Sequence, residues 1–126
     1  MSSSITVLIV DDEPDMRLLV RVLLERAGLQ VVEEAIDGHD ALAAVARLTP
    51  PPIPTVMVLD NQMPGLSGLD VAERVLAHTP EQRIILFSAF LDADVRRRAQ
   101  EIGIRICASK TDLDTLPAVI AALAAE

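Results

Sequence analysis

Apolar and polar positions follow a repeating order along this chain. A short continuous apolar run comes first, then a longer stretch in which apolar residues return every three or four positions. Continuous runs suit strands buried on both faces, and the 3.6-residue period suits a helix with one buried stripe. The runs predict strands at Ile5 to Val10, Leu29 to Glu33, Thr55 to Leu59, Arg83 to Phe87 and Ile104 to Cys107. Helices are predicted over about Pro14 to Ala27, Gly38 to Leu48, Gly68 to His78, Asp92 to Ile102 and Leu113 to Ala125. Met16, Leu19, Val20, Leu23, Leu24 and Ala27 share one face of the first helix, and Val95, Ala99 and Ile102 one face of the fourth. Pro14 behind Asp12-Glu13 reads as a helix start and Gly28 as a stop. The stretch Thr49-Pro50-Pro51-Pro52-Ile53-Pro54 reads as a stiff loop, because consecutive prolines remove the helical donors. Pro117 sits awkwardly inside the last helix and leaves its start open. Five strand–helix pairs define an α/β fold: one domain, a parallel sheet, helices on both faces.

Acids stand where two of the apolar runs end. Asp11 and Asp12 close the first strand and Asp60 closes the third. A carboxylate beside an apolar core loses hydration, so such placements are costly. Strand C-termini of an open parallel sheet share one edge, where ligands bind. If strands one and three are neighbours, three carboxylates meet there and repel, which favours a proton or a cation. Oxygen-only ligands select a hard cation such as Mg²⁺. Taken singly, each aspartate also reads as a helix cap or turn residue.

Lys110 lies just past strand five on the same edge and is the only lysine of the chain; the other ten basic residues are arginines. It is a solvated surface group or a point charge held against a carboxylate or phosphoryl oxygen. Ser88 follows strand four and is a turn serine or a hydroxyl aimed at a phosphoryl group. Carboxylates act as nucleophiles towards phosphorus, and phosphoryl transfer needs chiefly positioning and charge neutralisation. Asp60 is the natural nucleophile, since it closes a central strand and the turn Met63-Pro64-Gly65 leaves it accessible.

Composition narrows the classes. With 126 residues, 51% hydrophobic and 2% aromatic, the chain builds one aliphatic core. No apolar run reaches the ~18 residues of a membrane span. Met1-Ser2-Ser3-Ser4 lacks a basic n-region, and Cys107 is the lone cysteine, so a reducing cytoplasm is expected. The net charge of −8 argues against nucleic-acid binding by this segment's own surface.

The chain resembles the receiver domain of two-component response regulators, the chemotaxis regulators among them. The residues that carry the likeness are Val7-Leu8-Ile9-Val10-Asp11-Asp12-Glu13-Pro14, then Leu59-Asp60-Asn61-Gln62-Met63-Pro64-Gly65-Leu66-Ser67-Gly68, then Leu86-Phe87-Ser88-Ala89 and Ser109-Lys110. It extends from about residue 5 to 124, so residues 1–126 are expected to form a single receiver domain. The resemblance implies a flavodoxin-like doubly wound (βα)5 fold with strand order 2-1-3-4-5. It implies Asp60 as phosphoacceptor, Mg²⁺ held by Asp11, Asp12, Asp60 and the backbone carbonyl of Gln62, Ser88 as switch hydroxyl, and Lys110 as the family's lysine. The implied donor is a phosphohistidine of a sensor histidine kinase or a phosphotransfer protein. The implied output surface is the fourth helix, fifth strand and fifth helix.

Two positions depart from the family. Thr111 replaces the proline that often follows the lysine with a cis bond; a cis bond before a non-proline residue costs ~2.5–4 kcal/mol, so a trans bond is expected. Cys107 stands where many members place an aromatic residue three before the lysine, and it reads as a small core residue or a redox sensor. Phe90 and Leu91 are an exposed contact or pack under their loop. Arg96-Arg97-Arg98 are a solvated helix face or a contact to a second receiver in a homodimer. His39 and His78 read as surface residues near helix ends. A degenerate receiver that binds partners without phosphorylation is the alternative function. A phosphatase with an aspartyl nucleophile would want an acid two residues after Asp60, where Gln62 stands, and Gln62 cannot shuttle a proton. The end at Glu126 fits a stand-alone receiver and a domain cut from a longer chain.

Overall fold

The computed structural model describes residues 5–48 and 54–126. Strands β1 (Thr6–Val10), β2 (Gln30–Ala35), β3 (Val56–Leu59), β4 (Arg83–Ser88) and β5 (Ile106–Ser109) form one parallel sheet in the order β2-β1-β3-β4-β5. Helices α1 (Pro14–Arg26), α2 (Gly38–Arg47), α3 (Gly68–His78), α4 (Ala93–Ile102) and α5 (Leu116–Ala124) link the strands and close the chain. The expected order 2-1-3-4-5 is therefore present. Of the stiff loop predicted over Thr49 to Pro54, all but Pro54 lies outside the described residues.

Strand periodicity divides the core in two. Leu8, Val10, Met57, Leu59, Ile84 and Leu86 point to one side and pack on Ala41 and Ala44 of α2, Leu69, Ala72 and Val75 of α3, and Ala99 of α4. Val7, Ile9, Val56, Val58, Ile85 and Phe87 point to the other side and pack on Val20 and Leu24 of α1 and Leu116, Ile120 and Leu123 of α5. Burying one Leu- or Ile-sized side chain contributes about 1.5–3 kcal/mol. The sheet thus fixes β1, β3 and β4 from both faces, which holds their C-terminal ends in place.

Several boundaries differ from the sequence expectation. β2 runs on to Ala35, because it is an edge strand whose Glu33 and Glu34 pair with arginines rather than end the strand. β5 is shifted from Ile104–Cys107 to Ile106–Ser109. Ile104 instead donates its N–H to Ala99, closing α4 behind the left-handed Gly103. The last helix starts at Leu116, not Leu113. A 3-10 helix over Lys110–Thr115 precedes it, and Pro117 falls in the first turn of α5, where no donor is needed. In α1 the inward face is Val20 and Leu24, with Met16 and Leu23 half-buried, whereas Leu19 is half exposed and Ala27 exposed. Seven apolar residues crowd positions 16–24, so periodicity alone does not fix which of them turn inward.

Candidate functional site

Four strands deliver the site to one edge. Asp11 and Asp12 directly follow β1, Asp60 follows β3, Ser88 is the last residue of β4, and Lys110 follows β5. Parallel pairing sets their depth: Val10 lies beside Leu59, and Ser88 beside Ser109. Asp11 and Asp60 are tied into the sheet by N–H groups donating to Ala35 and Val10.

The three carboxylates converge. One oxygen from each of Asp11, Asp12 and Asp60 lies within 4.8 Å of the others, a group that could hold a metal ion. Asp11 and Asp60 are buried, and Asp12 is the most open of the three. Lys110 Nζ reaches Asp11 Oδ2 at 2.8 Å and Asp60 Oδ2 at 3.4 Å. The remaining oxygens turn back on their own loops. Asp11 Oδ1 accepts from the N–H of Glu13 at 2.9 Å, and Asp60 Oδ1 from the N–H of Gln62 at 3.3 Å. The turn role and the clustered role of these aspartates therefore coexist. The helix-cap role does not: the N-cap of α1 is Glu13, with no side-chain hydrogen bond.

Burial decides the charge state of the site. It pushes Asp60 up to about 6; Lys110 pulls the other way and the charge of Asp11 adds to the rise. Burial also acts to lower Lys110, but its hydrogen bond to Asp11 and the nearby charges of Asp60 and Asp11 leave it raised and cationic. Two carboxylates thus share one ammonium, and the oxygen-only donor set fits a hard divalent cation.

Ser88 is fully buried at the same edge, and its Oγ accepts weakly from the N–H of Phe90 at 3.4 Å. Gln62 is exposed. Phe90 is 65% exposed, while Leu91 packs partly under the loop against the core. Cys107 is half-buried against the same core, and burial pushes its thiol up, so the reactive thiolate is scarce at neutral pH. The core reading of Cys107 is favoured over the redox one. Thr111 donates its N–H to Ser109 Oγ at 3.2 Å, a bond that a proline could not make.

The three consecutive arginines are engaged within the chain. Arg96 donates to the carbonyl of Leu91, Arg97 pairs with Asp94 and Glu101, and Arg98 reaches Asp70 on α3 at 3.2 Å. His39 and His78 are exposed at the ends of α2 and α3.

Three residues take supporting roles that the sequence reading does not assign. Gly68 opens α3 against the backbone of Asp60 and Asn61. Asn61 Oδ1 accepts from the N–H of Leu69 at 3.1 Å, tying α3 to the residue after Asp60. Arg17 Nη1 donates to the carbonyl of Asp11 at 2.7 Å. Asn61 and Gly68 are marked in the sequence only as motif residues, and Arg17 only as an arginine in the helix that follows the two acids.

The class of protein is thus a doubly wound α/β domain whose C-terminal sheet edge carries three acids and one lysine, a group that could hold a metal ion. The family model for the response regulator receiver domain matches residues 7–121, and the chain belongs to that family. A protein-glutamate methylesterase/protein-glutamine glutaminase of Myxococcus xanthus is 42% identical over 88 residues, 69% of this chain and 24% of that protein. BvgA of Bordetella pertussis, named for transcription regulation of virulence factors, is 34% identical over 97 residues, 77% of this chain and 44% of its own length. The signal receiver domain of the response regulator NarL from Mycobacterium tuberculosis superposes with a TM-score of 0.80 at 30% identity, covering 97% of this chain and 98% of that one. The chain spans less than half the length of these two relatives. Among the described residues no helix is long and apolar enough to cross a membrane.

Proposed function

We propose that this chain is a phosphoacceptor switch in which Asp60 receives a phosphoryl group from a phosphohistidine of a sensor kinase or phosphotransfer protein in the cytoplasm. The observation that carries the reading is Lys110 Nζ lying between Asp11 and Asp60 at 2.8 and 3.4 Å, with both acids buried. Such an arrangement leaves more carboxylate than ammonium, an excess that a bound cation would answer.

In this reading a carboxylate oxygen of Asp60 attacks phosphorus. The bond from phosphorus to the donor nitrogen breaks, its electron pair stays on the imidazole, and an acyl phosphate forms. Asp11, Asp12, Asp60 and the backbone carbonyl of Gln62 would hold Mg²⁺, which supplies charge neutralisation at the phosphoryl oxygens when bound. Lys110 supplies a second positive charge from the β5 side. Ser88, buried at the end of β4, would turn its hydroxyl to a phosphoryl oxygen. That movement would leave the N–H of Phe90 free and pass the event to the surface of α4, β5 and α5. Water later hydrolyses the acyl phosphate, so the domain catalyses only its own modification and its reversal. The output would be a partner protein or an attached domain.

The test is intact mass after incubation with Mg²⁺ and acetyl phosphate. One added phosphoryl group is expected, and it should be absent in Asp60→Asn. An unmodified wild-type protein that also fails to bind Mg²⁺ would leave only the phosphorylation-independent interaction module.

A further inference from the structure

Asp12 is the one member of the acid cluster with no anchor of its own. Among the described residues its carboxylate makes no hydrogen bond or ion pair, whereas Asp11 and Asp60 are each held by Lys110 and by a backbone N–H. The fixed point from which the Asp12 side chain starts is therefore the peptide that joins it to Asp11. That unit is planar, so fixing its carbonyl oxygen fixes the whole plane from one Cα to the next. Arg17 does this. Its Nη1 donates to the Asp11 carbonyl at 2.7 Å, the short distance of a charge-assisted bond.

Arg17 is itself held from the far side. Its Nε lies 3.4 Å from Glu34 Oε1 on β2, and its side chain is only 16% exposed. Glu34 also accepts from Arg21 Nε at 2.5 Å, so the carboxylate is braced by two guanidinium groups. The chain of contacts runs from β2 through Glu34 and Arg17 to the Asp11–Asp12 peptide. A planar fork with several fixed donors can serve a carboxylate and a carbonyl at once, which a lysine ammonium on a flexible stem does less well.

We infer that Arg17 is a positioning residue for the cation site, holding the Asp11–Asp12 peptide so that the Asp12 carboxylate faces Asp60. The inference rests on the cation reading given under the proposed function. It assigns a role to a residue that touches neither cation nor phosphoryl group. Groups of this kind orient metal ligands, and their loss costs affinity although no ligand is removed.

The experiment is a Mg²⁺ titration followed by backbone amide chemical shifts, on wild type, Arg17→Ala, Arg17→Lys and Arg21→Ala. Urea unfolding in a chelator is measured on the same four proteins. Arg17→Ala should bind Mg²⁺ about ten-fold more weakly than wild type. Arg17→Lys should recover part of that loss, because it restores the donor to the carbonyl. Arg21→Ala breaks the other arm of the Glu34 clasp and should keep the wild-type affinity, even where its stability falls as far as that of Arg17→Ala. Wild-type affinity in Arg17→Ala overturns the inference. Equal weakening in Arg17→Ala and Arg21→Ala also overturns it, since the effect would then belong to the clasp. Failure of the wild type to bind Mg²⁺ overturns the cation reading itself, and is seen before any variant is compared.

Discussion

A single side chain concentrates the conflict between folding and function. Asp60 is 4% exposed and its pKa is raised to about 6 from 3.8, with burial as the leading cause. In the metal-free protein the folded state holds a proton on Asp60 between those two values, while the unfolded chain has lost it. Stability therefore falls as pH rises from about 4 to about 6, and the full penalty persists above that window. It amounts to about 3 kcal/mol. Asparagine keeps the shape without the charge. Asp60→Asn should be more stable than wild type at pH 7.5 in a chelator, by about 1–3 kcal/mol. The gap should close towards pH 4. Urea unfolding of both proteins across that range measures it, and equal stability at pH 7.5 would show that Asp60 carries no burial penalty.

At the level of elements, the start of α3 sets the position of the acid. A Cβ on Gly68 would lie 2.2 Å from the Asp60 carbonyl oxygen and 2.8 Å from Asn61 Cα. Both are backbone atoms, so no rotamer change relieves the clash. Gly65 differs: a Cβ there meets open space, and only its φ of +78° resists substitution. Gly68→Ala should cost about 2–3 kcal/mol or more, and Gly65→Ala about 1–2 kcal/mol. The shift of Asp60 in Gly68→Ala should also slow its modification by acetyl phosphate, while Gly65→Ala reacts as wild type. Equal rates in the two variants would separate α3 from the site. The sequence marks Gly68 as a helix start and a motif residue, but its approach to the Asp60 backbone is not legible there. What was legible came from residues whose type and place agree: Asp11, Asp12, Asp60 and Lys110 lie where the strand pattern puts them. The failures have physical causes. Glu33 and Glu34 look like a strand end because their arginine partners Arg47, Arg17 and Arg21 come from distant turns of α1 and α2. Ile104 looks like strand because it is apolar, yet it serves to close α4. Leu19 looks like core because α1 is apolar on more than one face.

The whole molecule joins these scales through linkage. Two aliphatic cores clamp the sheet from both sides, and the strands they hold drive three carboxylates together at one end. The global fold therefore bears the repulsion of a local site, and a cation at that site should stabilise the entire domain. At a free Mg²⁺ concentration 100 times its Kd the gain is about 2.7 kcal/mol. For a domain of this size each kcal/mol moves Tm by roughly 3–6 °C. A proton and a bound cation would compete for Asp60, whose pKa of about 6 would set where the competition turns. The rise in Tm on adding Mg²⁺ should therefore be large at pH 7.5 and much smaller at pH 5. Screening of the net charge of −8 predicts something else: a rise that any salt of equal ionic strength reproduces. Thermal unfolding with Mg²⁺ or with NaCl at matched ionic strength, at both pH values, separates the two. Asp12→Asn should lower the Mg²⁺-specific rise while leaving the NaCl response in place. If NaCl matches Mg²⁺ at pH 7.5, the cluster is a strained end of the sheet and not a cation site.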